Sequence, residues 1–267
     1  MKSLPQSALT RTTGGYNWLH YIANPSHASS SSPSPSTTHA GPTVSNYAPT
    51  PAPQTPPSLA ADDAVYAIWI GTNDLANHGF LTDMQEPNRT IADSMDFIYA
   101  GLDGVYARGA LSFVLMNIPP MQLTPLSGTP ERGGVGETWA WPDKLGNITR
   151  VSYRMWQQVA MVNGVLRHRT GYEVLVAGRY AGAGFALMDM THLYNHPYEY
   201  LAALANVTGY NYHCNLDMSE CQGLGNPESF MWFDYSHPSQ RTEQIIGEQF
   251  LDVVSGENYM KRKRWAG

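Results

Sequence analysis

Val65-Tyr66-Ala67-Ile68-Trp69-Ile70-Gly71-Thr72-Asn73-Asp74 is the stretch on which the fold turns. Six apolar residues in a row, ended by a glycine, have the length of a strand and no polar alternation, the pattern of a buried parallel strand. Toward the C-terminus, Thr90 stands where a helix N-cap belongs, with Asp93 three residues on. Ile91, Met95, Ile98, Leu102 and Val105 follow at helical spacing, and Gly109 ends that helix. Residues 112–118 read as a second strand, stopped by Pro119-Pro120. Beyond a Gly- and Pro-rich excursion over residues 124–146, Val151, Met155, Val159, Val162 and Leu166 mark one face of a second helix. Two apolar runs follow, 173–177 and 185–190, of which at least one is expected to be a strand. After His237-Pro238, residues Ile245, Ile246, Phe250, Val253 and Val254 mark a last amphipathic helix, with the proline in its first turn.

Strands alternating with helices predict a mainly parallel sheet covered on both faces. In such sheets ligands gather at the carboxyl ends of the strands. The loops starting at Gly71, Asn117 and Asp189 are therefore expected to carry chemistry.

A length of 267 residues suits one sizeable α/β domain. The formal net charge of −6 and the absence of a basic face argue against nucleic acid as a partner. No apolar run approaches the roughly 20 residues that span a bilayer, so no membrane partner is expected. The basic run Lys261-Arg262-Lys263-Arg264 reads as a solvated, frayed tail. Residues 29–57 are dominated by Ser, Pro, Thr and Ala and read as an irregular segment. Cys214 and Cys221 are close enough to close a small disulfide loop, although two independent thiols fit the sequence as well. Sequons at Asn88, Asn147 and Asn206 favour a secreted glycoprotein. Met1-Lys2-Ser3-Leu4-Pro5-Gln6, by contrast, lacks the apolar core of a signal peptide.

Phe233-Asp234-Tyr235-Ser236-His237-Pro238 is the sharpest local motif. An Asp three residues before a His can hold one imidazole nitrogen and leave the other free as a general base. The same spacing also serves a capping turn in which the histidine is incidental. Gly71-Thr72-Asn73-Asp74 is either an ordinary strand-to-loop turn or a site where the Asn73 amide meets developing negative charge. His192 and His196 lie four apart, a spacing used for zinc on helices, but Pro197 follows and no carboxylate stands between them; no metal site is assigned.

Together the two blocks resemble the GDSL, or SGNH, serine esterases and lipases. That family's Gly-x-Asn-Asp block matches Gly71, Asn73 and Asp74, and its Asp-x-x-His-Pro block matches Asp234, His237 and Pro238, in the same order. Gly15-Tyr16-Asn17-Trp18-Leu19, Asn117-Ile118-Pro119-Pro120 and Met231-Trp232-Phe233-Asp234 further resemble the fungal carbohydrate acetylesterase branch. The resemblance runs from about residue 14 to 254. It implies a flavodoxin-like three-layer α/β/α domain over residues 1–267 that hydrolyses acyl esters, above all acetyl esters of carbohydrates, with no cofactor. His237 would be the general base, Asp234 its orienting acid, and Asn73 an oxyanion donor. Gly41, in Ala40-Gly41-Pro42-Thr43, matches the family's second oxyanion donor, although a plain linker reads nearly as well there.

The family's first block, Gly-Asp-Ser, occurs nowhere in the sequence. Ser7 stands in a faint match to that block's tail, with Pro5-Gln6 in place of Gly-Asp, and the nucleophile remains unassigned. Serine block, signal peptide and first strand would all precede residue 14, so a chain incomplete at its N-terminus is expected to lack all three. The alternative is a catalytically inactive carbohydrate-binding homologue.

Overall fold

A computed structural model of the chain describes residues 64–144, 146–196, 204–256 and, as backbone, 262–266. They fall into two compact units: one comprises Pro120–Trp156 and His192–Asp252, the other residues 64–119, Gln157–Thr191 and the chain after 252.

The second of these units holds the predicted sheet. β1 (Tyr66–Trp69), β2 (Ser112–Met116) and β3 (Gly184–Met188) run parallel in the order β1-β2-β3. Tyr66 pairs with Phe113, and Phe113 in turn with Phe185. The Phe113 and Phe185 rings stack at 4.6 Å, so the register also aligns the core aromatics. β2 and β3 are buried from their second residue onward, as continuous apolar runs require. β1 is less covered than its composition suggests, its side chains being half-buried or exposed; among the described residues it pairs with β2 alone.

α1 (Ile91–Tyr106) starts as expected. Thr90 Oγ1 accepts the Asp93 N–H, and the Asp93 carboxylate accepts the Thr90 N–H at 2.7 Å, a reciprocal capping box. α2 (Ile148–Leu175) packs on α1 through Tyr99, whose hydroxyl meets Thr170 Oγ1 at 2.8 Å under the Arg169 guanidinium. All five predicted face residues of α2 are buried. Of the two later apolar runs, 185–188 is strand, whereas 173–175 finish α2. Glu173 there is paired with Arg169 and Arg179, and Val174 is packed on the core side, so the helix simply continues.

The expectation for the C-terminal basic run is overturned. The basic tail is not frayed: Arg262–Ala266 form β8, antiparallel to β3, with Gly184 opposite Ala266 and Met188 opposite Arg262. A charged composition does argue for solvation, but backbone pairing is indifferent to it. The open edge of β3 supplies the unpaired N–H and C=O groups that order the segment. The observed architecture is a mixed α/β chain with a parallel core, consistent with the three-layer α/β/α class that was expected.

In the other unit, β4 (Asn206–Tyr210) pairs in parallel with β7 (Phe230–Trp232). β5 (Tyr212–Cys214) and β6 (Cys221–Gly223) form an antiparallel ribbon. Cys214 and Cys221 face each other across that ribbon and are joined by a disulfide. Cys214→Ser reopens this short loop and should lower stability by about 2 kcal/mol from chain entropy, read as a urea midpoint shift that reductant reproduces in the unsubstituted protein. α4 (Gln240–Ser255) follows β7. Its cap is Ser239, whose Oγ accepts the Thr242 N–H at 3.2 Å, so Pro238 precedes the cap rather than occupying the first turn. Ile245, Ile246, Phe250 and Val253 are buried as expected; Val254 is exposed.

Candidate active site

The loop between β7 and α4 is pinned at its base. Phe233 N–H donates to the His237 carbonyl at 2.8 Å, Ser239 N–H donates to the Met231 carbonyl at 2.9 Å, and Trp232 bridges to Pro238. Four residues are thereby forced into a tight turn, and Asp234 is the group that fills it. Its Oδ1 accepts the backbone N–H of Ser236 and of His237, each at 2.8 Å. His237 Nδ1 lies 2.8 Å from Oδ2 and 3.0 Å from Oδ1 of the same carboxylate. The two readings of this motif are thus not exclusive: Asp234 caps the turn and also holds the imidazole.

That contact fixes the tautomer. Nδ1 carries the proton that Asp234 accepts, and Nε2 is left with its lone pair and with no hydrogen-bond partner among the described residues. The His237 side chain is 44 % exposed against 15 % for Asp234, so the imidazole reaches solvent while the carboxylate that holds it is largely covered. Burial disfavours the charged form of both groups. For His237 the hydrogen bond and charge of Asp234, assisted by the charge of Glu243, outweigh it and raise the pKa. For Asp234 burial is again outweighed, here by His237 and by the two backbone N–H groups, and its carboxyl titrates below the usual range. Glu243 on α4 is itself buried.

The loop is also held from outside. Leu126 N–H donates to the Tyr235 carbonyl at 2.7 Å. The buried Tyr235 ring meets Trp139 edge-on at 6.2 Å. Burial, followed by the charge of Asp234, pushes the Tyr235 hydroxyl far up, so it stays neutral. Trp139 is half exposed, at the tip of a turn whose ends, Thr138 and Trp141, exchange backbone hydrogen bonds.

Asn73 belongs to the unit that contains the sheet. The turn carrying it leaves β1 through Gly71, whose φ of +109° suits glycine and whose missing side chain leaves room for Ile118; a Cβ there would lie 2.9 Å from Ile118 Cδ1. The Asn73 side chain is exposed, and its amide has no partner among the described residues, whereas Asp74 beside it is buried. Gly41, the second expected donor, and Ser7 lie outside the described residues.

At the other two strand ends, Asn117 and Asp189 are bonded to each other. Asn117 is buried, with its Oδ1 accepting the N–H of Met190 and its Nδ2 donating to Asp189. It thereby ties the end of β2 to the start of α3 (Met190–Asn195). Asn163 locks the same corner by bonding both the N–H and the carbonyl of Ile118. The Asn117 amide, at the start of the second of these loops, is therefore consumed at both ends. His192 and His196 stack with ring centres 4.1 Å apart, and His196 Nδ1 approaches the His192 carbonyl. Sequence reading missed Glu243, Tyr235 and Trp139 as companions of the pair. Only the position of Tyr235 inside the Asp-x-x-His block could have pointed to one of them.

An α/β chain with a tautomer-fixed, half-exposed histidine on the loop entering its last helix has the equipment to take a proton from a hydroxyl or a water. No protein-family model matches the chain. An acetylesterase of Hypocrea jecorina is 34% identical over 206 residues, covering 75% of this chain and 59% of that protein. An acetylesterase of Thermothelomyces thermophilus is 36% identical over 76 residues, covering 27% of this chain and 24% of its own length. The chain thus spans less than two thirds of the curated relatives it matches. A solved structure described as a possible lipase from Chitinophaga pinensis DSM 2588 aligns with a TM-score of 0.33 at 17% identity over 73% of each chain, too slight a likeness to bear on fold or activity.

Proposed function

We propose that the chain supplies the general base of an acyl-ester hydrolase of the GDSL type, with acetyl esters of carbohydrates as its substrates. The observation that carries this reading is the Asp234–His237 contact at 2.8 Å with Nε2 free, in a chain similar to two acetylesterases. His237 takes the proton of a serine as it attacks the ester carbonyl and returns it to the leaving alcohol. Asn73 and Gly41 hold the oxyanion. No residue of this chain is assigned as the nucleophile, because the Gly-Asp-Ser block is absent from its 267 residues. The Cys214–Cys221 disulfide and the exposed sequons at Asn88 and Asn147 support an extracellular site of action.

Hydrolysis of p-nitrophenyl acetate tests this reading in two forms of the protein. The 267-residue chain is expected to turn over the ester near the solution rate. A chimera carrying a Gly-Asp-Ser-bearing segment ahead of it is expected to gain activity. Robust turnover by the unextended chain that His237→Ala abolishes would refute the missing nucleophile, and turnover that survives His237→Ala would refute the base. For the sugar portion, Trp139→Ala in the active chimera should raise KM for an acetylated sugar roughly fivefold, the worth of about 1 kcal/mol of stacking. It should leave KM for p-nitrophenyl acetate unchanged; an equal effect on both esters would remove the carbohydrate reading.

A further inference from the structure

Lys144 is the one buried lysine or arginine among the described residues, with only 7% of its surface exposed. Its Nζ donates to the carbonyl of Leu126 at 2.7 Å and to the carbonyl of Val135, with the Trp141 ring centre 5.8 Å away. No carboxylate pairs with it among the described residues. Desolvation lowers its pKa to about 8. A buried ammonium satisfied only by carbonyls is not the stable choice for a core position, where a well-packed apolar side chain of like volume is as good or better. What an apolar side chain cannot do is hold two carbonyls at fixed distances.

The two carbonyls are not arbitrary. Leu126, whose C=O binds Nζ, gives its N–H to the carbonyl of Tyr235, between Asp234 and His237. Val135, the other acceptor, gives its N–H to the carbonyl of Pro125. Nζ therefore closes residues 125–126 and 135 into one block, and that block reaches the middle of the Asp234–His237 turn through a single backbone hydrogen bond.

We propose that Lys144 is a positioning residue that sets the geometry of the Asp234–His237 pair, acting through Leu126 and Tyr235. This rests on the pair being the general base described above. It adds that the base is aimed by a cation that never touches substrate.

The experiment is an NMR titration of the His237 imidazole in the folded chain, read without substrate, so that an inactive chain answers it as well as an active one. Unsubstituted protein should show an elevated His237 pKa and a slowly exchanging Nδ1 proton, both lost in Asp234→Asn. Lys144→Met should move the His237 pKa back toward ~6.5 and broaden the Nδ1 signal, with circular dichroism unchanged and the melting temperature lowered by the two carbonyls left without a donor. Lys144→Arg, which keeps a long charged donor, should restore both signals. If Lys144→Met does not fold, Lys144→Gln, still a donor but shorter and neutral, should show an intermediate shift. A folded Lys144→Met or Lys144→Gln protein with the unsubstituted titration would overturn the proposal. So would collapse of both variants, which would mark the lysine as purely structural. Absence of hydrolysis in every form, with these shifts intact, would count against the esterase reading and leave the positioning role standing.

Discussion

His237→Ala should lower kcat/KM for acetyl-ester hydrolysis by roughly 10³-fold in a form of the protein that carries the serine block, with KM changed little. The size follows from what the imidazole does. A serine hydroxyl is a poor nucleophile at neutral pH, and a positioned base removes its proton only in the transition state, so the loss falls on kcat. Nε2 is free and the ring is oriented by Asp234 at 2.8 Å, so no reorganisation is needed before proton transfer. The elevated His237 pKa adds a pH signature. Only the neutral imidazole can accept the proton, so the rate of the unsubstituted protein should rise with pH through a limb placed above the ordinary histidine value of ~6.5. His237→Ala should erase that limb, leaving a shallow profile from hydroxide. A steady-state pH series on p-nitrophenyl acetate decides the matter. A variant that keeps more than about a tenth of the activity, or keeps the limb, would mean that another group is the base.

What could be read from the sequence was the part governed by local, periodic physics. β1, α1, β2, α2 and the last helix follow from apolar runs and capping residues, because burial of one face is written at fixed spacing. The Asp234–His237 turn was legible for the same reason: its chemistry is confined to four consecutive residues. What was hidden depends on partners distant in the chain. Lys261–Arg264 looked like a tail because nothing in a run of four basic residues says that β3 has an open edge. Asn117 opens a strand-end loop of the kind expected to carry chemistry. Only contacts some 73 residues away, to Asp189 and Met190, show that its amide is already spent. Lys144, Leu126 and Tyr235 are joined by hydrogen bonds to backbone carbonyls that no sequence pattern encodes. A constellation assembled from separate chain segments is thus the hardest to see, and an oxyanion site built from Asn73 and Gly41 would be of this kind.

Asp234→Asn and Asp234→Ala should separate the two jobs of this carboxylate. An asparagine keeps an Oδ1 that can accept the Ser236 and His237 N–H groups, so the turn survives, but it cannot stabilise the imidazolium or enforce the Nδ1–H tautomer. Activity should fall about as far as in His237→Ala, while folding persists. Alanine leaves two backbone donors in a pinned turn without their acceptor and should cost about 2–3 kcal/mol of stability as well. The stability gap between unsubstituted protein and Asp234→Asn also depends on pH, with a sign set by the two shifts. Asp234 is depressed in the fold, so its contribution is complete above ~4 and fades as pH falls through the lower folded value. His237 is raised, so its contribution is complete below ~6.5 and fades as pH rises through the higher folded value. The gap should therefore be widest between about pH 4 and 6.5 and smaller on either side. Because the imidazole is half open to solvent, its size should be only about 1 kcal/mol. Urea unfolding at pH 3, 5.5 and 8.5 measures it for all three proteins. A gap that is flat across this range would show that the ion pair adds nothing to the cap, and equal destabilisation by Asn and Ala would show that the backbone N–H groups do not depend on the side-chain oxygen.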